Sequence, residues 1–250
     1  MIRSRMKSTA LCLLALGILA GCTVPAPSPD PQALARSVVA QPDRSEADRQ
    51  TDLRRRPVEL LVFAGIQPGM KVLDLGTGGG YSTELLARAV GPEGVVYGHD
   101  AAPINERAAA SFARRLSGTG MSRVVRVLRA FDDPLPPGTP ALDRITLFNV
   151  YHDLPAKPVD RAHMNQRLFD ALKPGGLLLI TDHSAVAGAG IETGRTLHRI
   201  DEGLVRRELE AAGFRFVASA DFLRHPEDAR TVRIAPTLPV DEFVLKFVRP

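Results

Sequence analysis

From Lys71 onward, short apolar runs alternate with segments whose apolar positions recur every three to four residues. The runs predict strands at Val72–Leu75, Val95–His99, Val124–Leu128, Arg144–Asn149 and Leu177–Asp182, and the periodic segments predict helices at Ser82–Val90, Ile104–Leu116, Ala162–Leu172 and Glu202–Ala212. Strands this continuously apolar belong to a parallel sheet covered by helices on both faces. Gly91-Pro92 stops the first of these helices, and Pro174-Gly175-Gly176 separates another from the fifth strand. Two more strands, Phe214–Phe222 and Glu242–Val248, follow with no helix between them, which favours an antiparallel pair. The predicted fold class is α/β: an open, mostly parallel seven-stranded sheet ending in a C-terminal antiparallel hairpin. Ahead of it, Ser45–Ala64 reads as helix, with Ser45 as N-cap and Pro57 as a break or kink. Arg54-Arg55-Arg56 reads as its solvated face.

The first residues follow a different pattern. Arg3, Arg5 and Lys7 precede the apolar run Ala10–Ala20, which has signal-peptide length and is too short to span a bilayer as a helix. Removing this segment takes the formal charge from +4 to about +1, so the basic balance is no nucleic-acid footprint and no nucleic-acid partner is expected. It also removes both cysteines, Cys12 and Cys22, from the folded part, which excludes disulfides, thiolate catalysis and zinc–cysteine sites there. Next, Pro25, Pro27, Pro29 and Pro31 alternate with small residues, the composition of an extended tether. The expected division is a signal segment at 1–21, a tether at 22–44 and one domain at 45–250.

Leu19-Ala20-Gly21-Cys22 resembles the lipobox of bacterial lipoproteins. The resemblance implies a lipid on Cys22 and a domain anchored to the cell envelope, facing the periplasm. Thr23, where an aspartate would retain such a protein at the inner membrane of enteric bacteria, leans the expectation toward the outer membrane.

Asp74-Leu75-Gly76-Thr77-Gly78-Gly79-Gly80 is the densest glycine cluster of the chain. No lysine follows it, as a Walker loop would need. Tyr81 and Thr83 stand where the dinucleotide fingerprint needs Gly or Ala. The alternation of Asp74, Gly76, Gly78 and Gly80 instead resembles motif I of class I S-adenosylmethionine-dependent methyltransferases, whose fold is Rossmann-like. Over Val72–Ala87 it is also similar to protein-L-isoaspartate methyltransferases. NVYHDL, TDHSA, LHRIDEGLVRRELEAAGF and DEFVLKFVRP together resemble an exported bacterial group of predicted methyltransferases. The resemblance implies S-adenosyl-L-methionine as cofactor, held by Asp74, Gly76, Thr77, Gly78, Gly80, Asp100, Phe131, Asp132 and Asn149. Asp74 would hold the loop and reach the methionine ammonium, Asp100 would take the ribose hydroxyls, and Phe131-Asp132 would flank adenine.

On the acceptor side, Tyr151, His152, Asp182 and His183 follow the fourth and fifth strands and are the expected catalytic residues. Either histidine has the chemistry of a base near neutral pH. Asp153, His198, Arg199 and Asp201 fall near the same rim, with Asp201 a natural N-cap and Arg199 a partner for a neighbouring acid. His99, His163 and His225 receive no role. Asp153 and Asp182 imitate the strand-end acids of magnesium-dependent relatives, but the matching asparagine arrangement is absent, so no metal is expected. The expected activity is methyl transfer to a small-molecule or envelope acceptor. The competing expectation is a non-catalytic adenosyl-ligand sensor of the same fold.

Overall fold

The computed structural model describes residues 30–235 and 239–250. The signal segment and residues 22–29 of the tether lie outside them. From Asp30 on the tether expectation is corrected: Pro31–Val39 forms helix α1, capped by the Asp30 side chain and started by Pro31. Its Ala35 and Val38 are buried. The long helix expected next is two, α2 (Glu46–Arg55) and α3 (Pro57–Ala64), joined at Arg56 in a left-handed conformation with φ 47°. Proline at the first position of α3 is the reason for the break, since it disfavours a helical conformation at the residue before it.

Seven strands then form one sheet: β1 (Lys71–Leu75), β2 (Val95–Asp100), β3 (Val124–Leu128), β4 (Leu142–Phe148), β5 (Leu172–His183), β6 (Arg215–Ala220) and β7 (Glu242–Val248). Their spatial order is β3-β2-β1-β4-β5-β7-β6. The first five strands pair in parallel, and β7 lies antiparallel to both β5 and β6. This is the expected architecture. In one detail the strand is longer than expected: β5 runs through Pro174-Gly175-Gly176 from Leu172, with a register shift between Leu142 and Arg144 on its neighbour.

Alternate side chains of the strands feed two cores. On one face Val72, Val96 and Leu179 meet Ala35, Val38, Leu61 and helix α4 (Tyr81–Val90). On the other, Leu73, Leu75, Ile145 and Leu147 meet α6 (Arg161–Ala171) and α8 (Glu202–Ala211), through Met164, Leu168, Val205 and Leu209. Helix α5 (Glu106–Leu116) buries Phe112, and the short α7 (Glu192–Leu197) packs on a 3-10 turn at Tyr151–Ala156. No helix among the described residues is long and apolar enough to cross a membrane. Strand order reverses beside β1, between β2 and β4, and ligands of open α/β sheets bind at the carboxyl ends of strands flanking such a point.

Candidate functional site

At the carboxyl end of β1 the chain turns through Gly76, Gly78 and Gly80, at φ 76°, 51° and 85°. A side chain at Gly76 would put its Cβ 2.4 Å from Val150, and one at Gly80 2.9 Å from Phe112, so these two glycines are required by packing. Nothing lies within 4 Å of a Cβ built on Gly78. That glycine faces open space and leaves room for a ligand to approach the backbone.

Asp74 is buried beneath the turn and accepts from Ser82 Oγ at 2.8 Å, Thr83 Oγ1 at 2.7 Å and Thr146 Oγ1 at 2.8 Å. Burial pushes its carboxyl up, against the pull of these three hydroxyls. It therefore fastens β1 to α4 and β4. The expected reach to a methionine ammonium is corrected, because its oxygens already serve the loop. Asp100, ending β2, accepts from Thr77 Oγ1 at 2.5 Å and from the Gly78 amide at 3.3 Å. Burial pushes this carboxyl up as well.

Two cavities open on this turn. One of about 260 Å³ is lined by Gly76–Gly79, Tyr81, Phe148, Asn149 and Arg55. The other, about 200 Å³, is a slot lined by Ala101, Pro103, Phe131, Asp132 and Val159 among others. Phe131 is buried with its ring edge-on to His99 at 5.2 Å between centroids. An apolar slot carrying one carboxylate suits an adenine ring and its amino group, and Asp100 lies at the carboxyl end of β2, one residue before the slot-lining Ala101. The residues present thus fit the expected adenosyl ligand.

Arg55 is the residue that sequence reasoning missed. Arg54 and Arg56 have side chains half exposed, as a solvated face requires, but Arg55 turns into the first cavity and donates to Asn149 Oδ1. Among the described residues it makes no ion pair within 4 Å, and burial pulls its guanidinium down. A cation on a cavity wall, held by one neutral amide, complements a ligand carboxylate. Helical period was the available signal, since consecutive residues of a helix point about 100° apart.

The acceptor side gathers most of its expected residues. His152 Nδ1 lies 2.5 Å from Asp182 Oδ1, and the His152 amide donates to Asp182 Oδ2 at 2.9 Å. His152 Nε2 lies 3.3 Å from Asp153 Oδ1, which His198 Nδ1 approaches to 3.2 Å. Burial opposes charge on the His152 ring, but Asp182 and Asp153 outweigh it and lift the imidazole to about 10. The expectation of a near-neutral base at His152 is corrected, because both ring nitrogens already face carboxylates. His183 Nδ1 stands 3.3 Å from Glu242 Oε1 and 3.3 Å from Asn149 Nδ2. Glu242 is buried, which alone would raise its carboxyl; His183 and the charge of Arg55 hold it down to about 2. Asn149, at φ 55°, thus links the first cavity to this cluster.

Tyr151 does not join them. Its side chain is buried in the core, donating to Glu208 Oε2 at 2.6 Å and accepting from Asn165 Nδ2 at 2.8 Å. A catalytic role for it is corrected. Arg199 is buried in a paired contact with Asp228 at 2.7 Å, and Asp201 caps α8, as expected of structural residues.

A family model described as a methyltransferase domain matches residues 46–219. The chain is 33% identical over 124 residues to the ubiquinone/menaquinone biosynthesis C-methyltransferase of Bordetella parapertussis, covering 50% of this chain and 45% of that one. It is 35% identical over 118 residues to the protein-L-isoaspartate O-methyltransferase of Ignicoccus hospitalis, covering 47% and 49%. The chain thus spans about half the length of these curated relatives. Its fold is similar to that of a SAM-dependent methyltransferase from Aquifex aeolicus, at TM-score 0.59 and 21% identity over 88% of this chain and 99% of the other.

Proposed function

Because this chain belongs to the methyltransferase domain family, we propose that it transfers a methyl group from S-adenosyl-L-methionine to an acceptor seated over the ends of β4 and β5. The observation that carries this reading is the open space above Gly78, with Asp100 bonded to the loop and Arg55 on the cavity wall. Bound there, the cofactor supplies a sulfonium methyl open to in-line attack. Asp100 and Thr77 would take the ribose, Phe131 and Asp132 the adenine, and Arg55 the carboxylate. Asn149 holds Arg55 and His183 in register. His183, oriented by Glu242, is the group we assign to receive a proton from the acceptor.

We further propose that a lipid on Cys22 ties the domain to the cell envelope, on its periplasmic side, from the Leu19-Ala20-Gly21-Cys22 pattern. Labelling with a fatty acid that Cys22→Ser abolishes supports this; labelling that survives it ends the proposal.

Calorimetry of the purified chain with S-adenosyl-L-methionine and its demethylated product tests the pocket. Asp100→Ala is expected to weaken binding at least tenfold, about 1.4 kcal/mol. No binding by the unaltered chain would overturn the reading. Turnover is checked by release of demethylated product with envelope extracts, where His183→Ala should lower kcat while leaving cofactor affinity within twofold. Binding without release would leave a ligand sensor.

A further inference from the structure

His152, Asp153 and His198 bring three ligand atoms together on the rim, all within 4.8 Å of one another. The two edges that meet at Asp153 Oδ1 are 3.3 Å to His152 Nε2 and 3.2 Å to His198 Nδ1. Around a cation bonded to nitrogen and oxygen at about 2.0–2.1 Å, tetrahedral ligands stand about 3.3–3.4 Å apart and octahedral ones about 3.0 Å. Both edges match those spacings.

The surroundings are built for the same arrangement. Asp182, wholly buried, receives His152 Nδ1 and leaves Nε2 as the outward nitrogen. A carboxylate behind a ligating histidine fixes the ring in this way at metal centres. His198 holds a left-handed conformation at φ 53°, which is unfavourable for a residue with a Cβ, and it follows α7 directly. Helix α7 is seated on the 3-10 turn through Gly194, where a Cβ would lie 2.4 Å from the His152 carbonyl oxygen. Any larger residue there would push His198 away from His152 and Asp153. The His198 side chain is one-third exposed, so it has freedom to close the third edge.

We infer that His152, Asp153 and His198 bind one divalent transition-metal cation, with at least one position left open for an oxygen or sulfur atom of a ligand. Two imidazoles and one carboxylate suit zinc, cobalt, manganese or iron(II) better than calcium or magnesium, which prefer all-oxygen sites. His152 also lies 5.0 Å, ring to ring, from His183. The open position therefore neighbours the place assigned to the acceptor; that use of the metal rests on the methyl-transfer reading, and the site itself does not.

The test is titration of the purified chain with Co²⁺, read by its visible ligand-field bands and by calorimetry. One equivalent is expected to bind with the intensity of a four- or five-coordinate centre. Asp153→Ala and His198→Gly should each weaken binding at least tenfold; the glycine keeps the left-handed backbone and removes only the ring. Asp182→Asn should weaken it by about 10–100-fold. His163→Ala, on the exposed face of α6, should leave it unchanged. Binding of demethylated cofactor product by each variant reports that the fold survives. Failure of the unaltered chain to bind one equivalent overturns the site, as does binding indifferent to both Asp153→Ala and His198→Gly. Cobalt binding without cofactor binding would uphold the metal site and sink the methyl-transfer reading; the reverse would do the opposite.

Discussion

The two halves of the site are built from different chemistry. Around β1 and β2, carboxylates are met by neutral donors: Asp74 by three hydroxyls, Asp100 by a hydroxyl and an amide. Around β4, β5 and β7, carboxylates are met by rings and cations: Asp182 and Asp153 by His152, Glu242 by His183 and Arg54. The first kind of contact is local, between residues close to one turn, and holds a backbone shape. The second joins distant segments and arranges charge. A cofactor site of fixed shape beside a charged acceptor site is what transfer to a polar acceptor requires, because alignment and proton handling are separate demands.

The sharpest way to break this contrast is at Asp74. Asp74→Ala strands three buried hydroxyls and should cost about 4 kcal/mol in chemical denaturation, from several lost charge-assisted hydrogen bonds. A loss below about 1 kcal/mol would mean the loop does not depend on that carboxylate. On the charged side, Glu242 has its carboxyl held below the ordinary range, to about 2. Its contribution is thus present above about pH 4.5 and disappears as pH falls through 2, worth on the order of 3 kcal/mol. Measured against pH, the stability gap between the unaltered chain and Glu242→Gln should close across that window. A gap that stays constant would remove the ion-pair account. The smallest effect belongs to Tyr151, outside both halves: Tyr151→Phe should cost about 1–2 kcal/mol for the partners it leaves unpaired and change kcat less than twofold. A larger drop in kcat at unchanged stability would return Tyr151 to the catalytic side.

The glycine turn and the strand ends were legible in the sequence because spacing alone decides them: a side chain at Gly76 or Gly80 collides, and period-two apolar runs have one way to be buried. Helix α1 was hidden by composition. Alternating prolines suggest a tether, yet Asp30-Pro31 is also a helix start, and Ala35 and Val38 supply its buried face. Arg55 was hidden by its neighbours, since three arginines in a row show no period. The cluster of His152, Asp153 and His198 depends on a left-handed residue after a six-residue helix, a conformation that no local pattern around His198 announces. Pairs joined through tertiary structure, such as His183 with Glu242, have no sequence signal at all.

Strand β7 lies between β5 and β6 although it is the last of the seven in chain order. During synthesis the chain emerges at about 5–20 residues per second, so β5 and β6 must wait, unjoined, for Glu242–Val248 to be made. Glu242 begins that strand and orients His183. The acceptor-side cluster is therefore assembled late, by the same event that closes the sheet, and a nascent chain halted before Glu242 would carry the complete glycine turn but an open sheet and an unpaired His183.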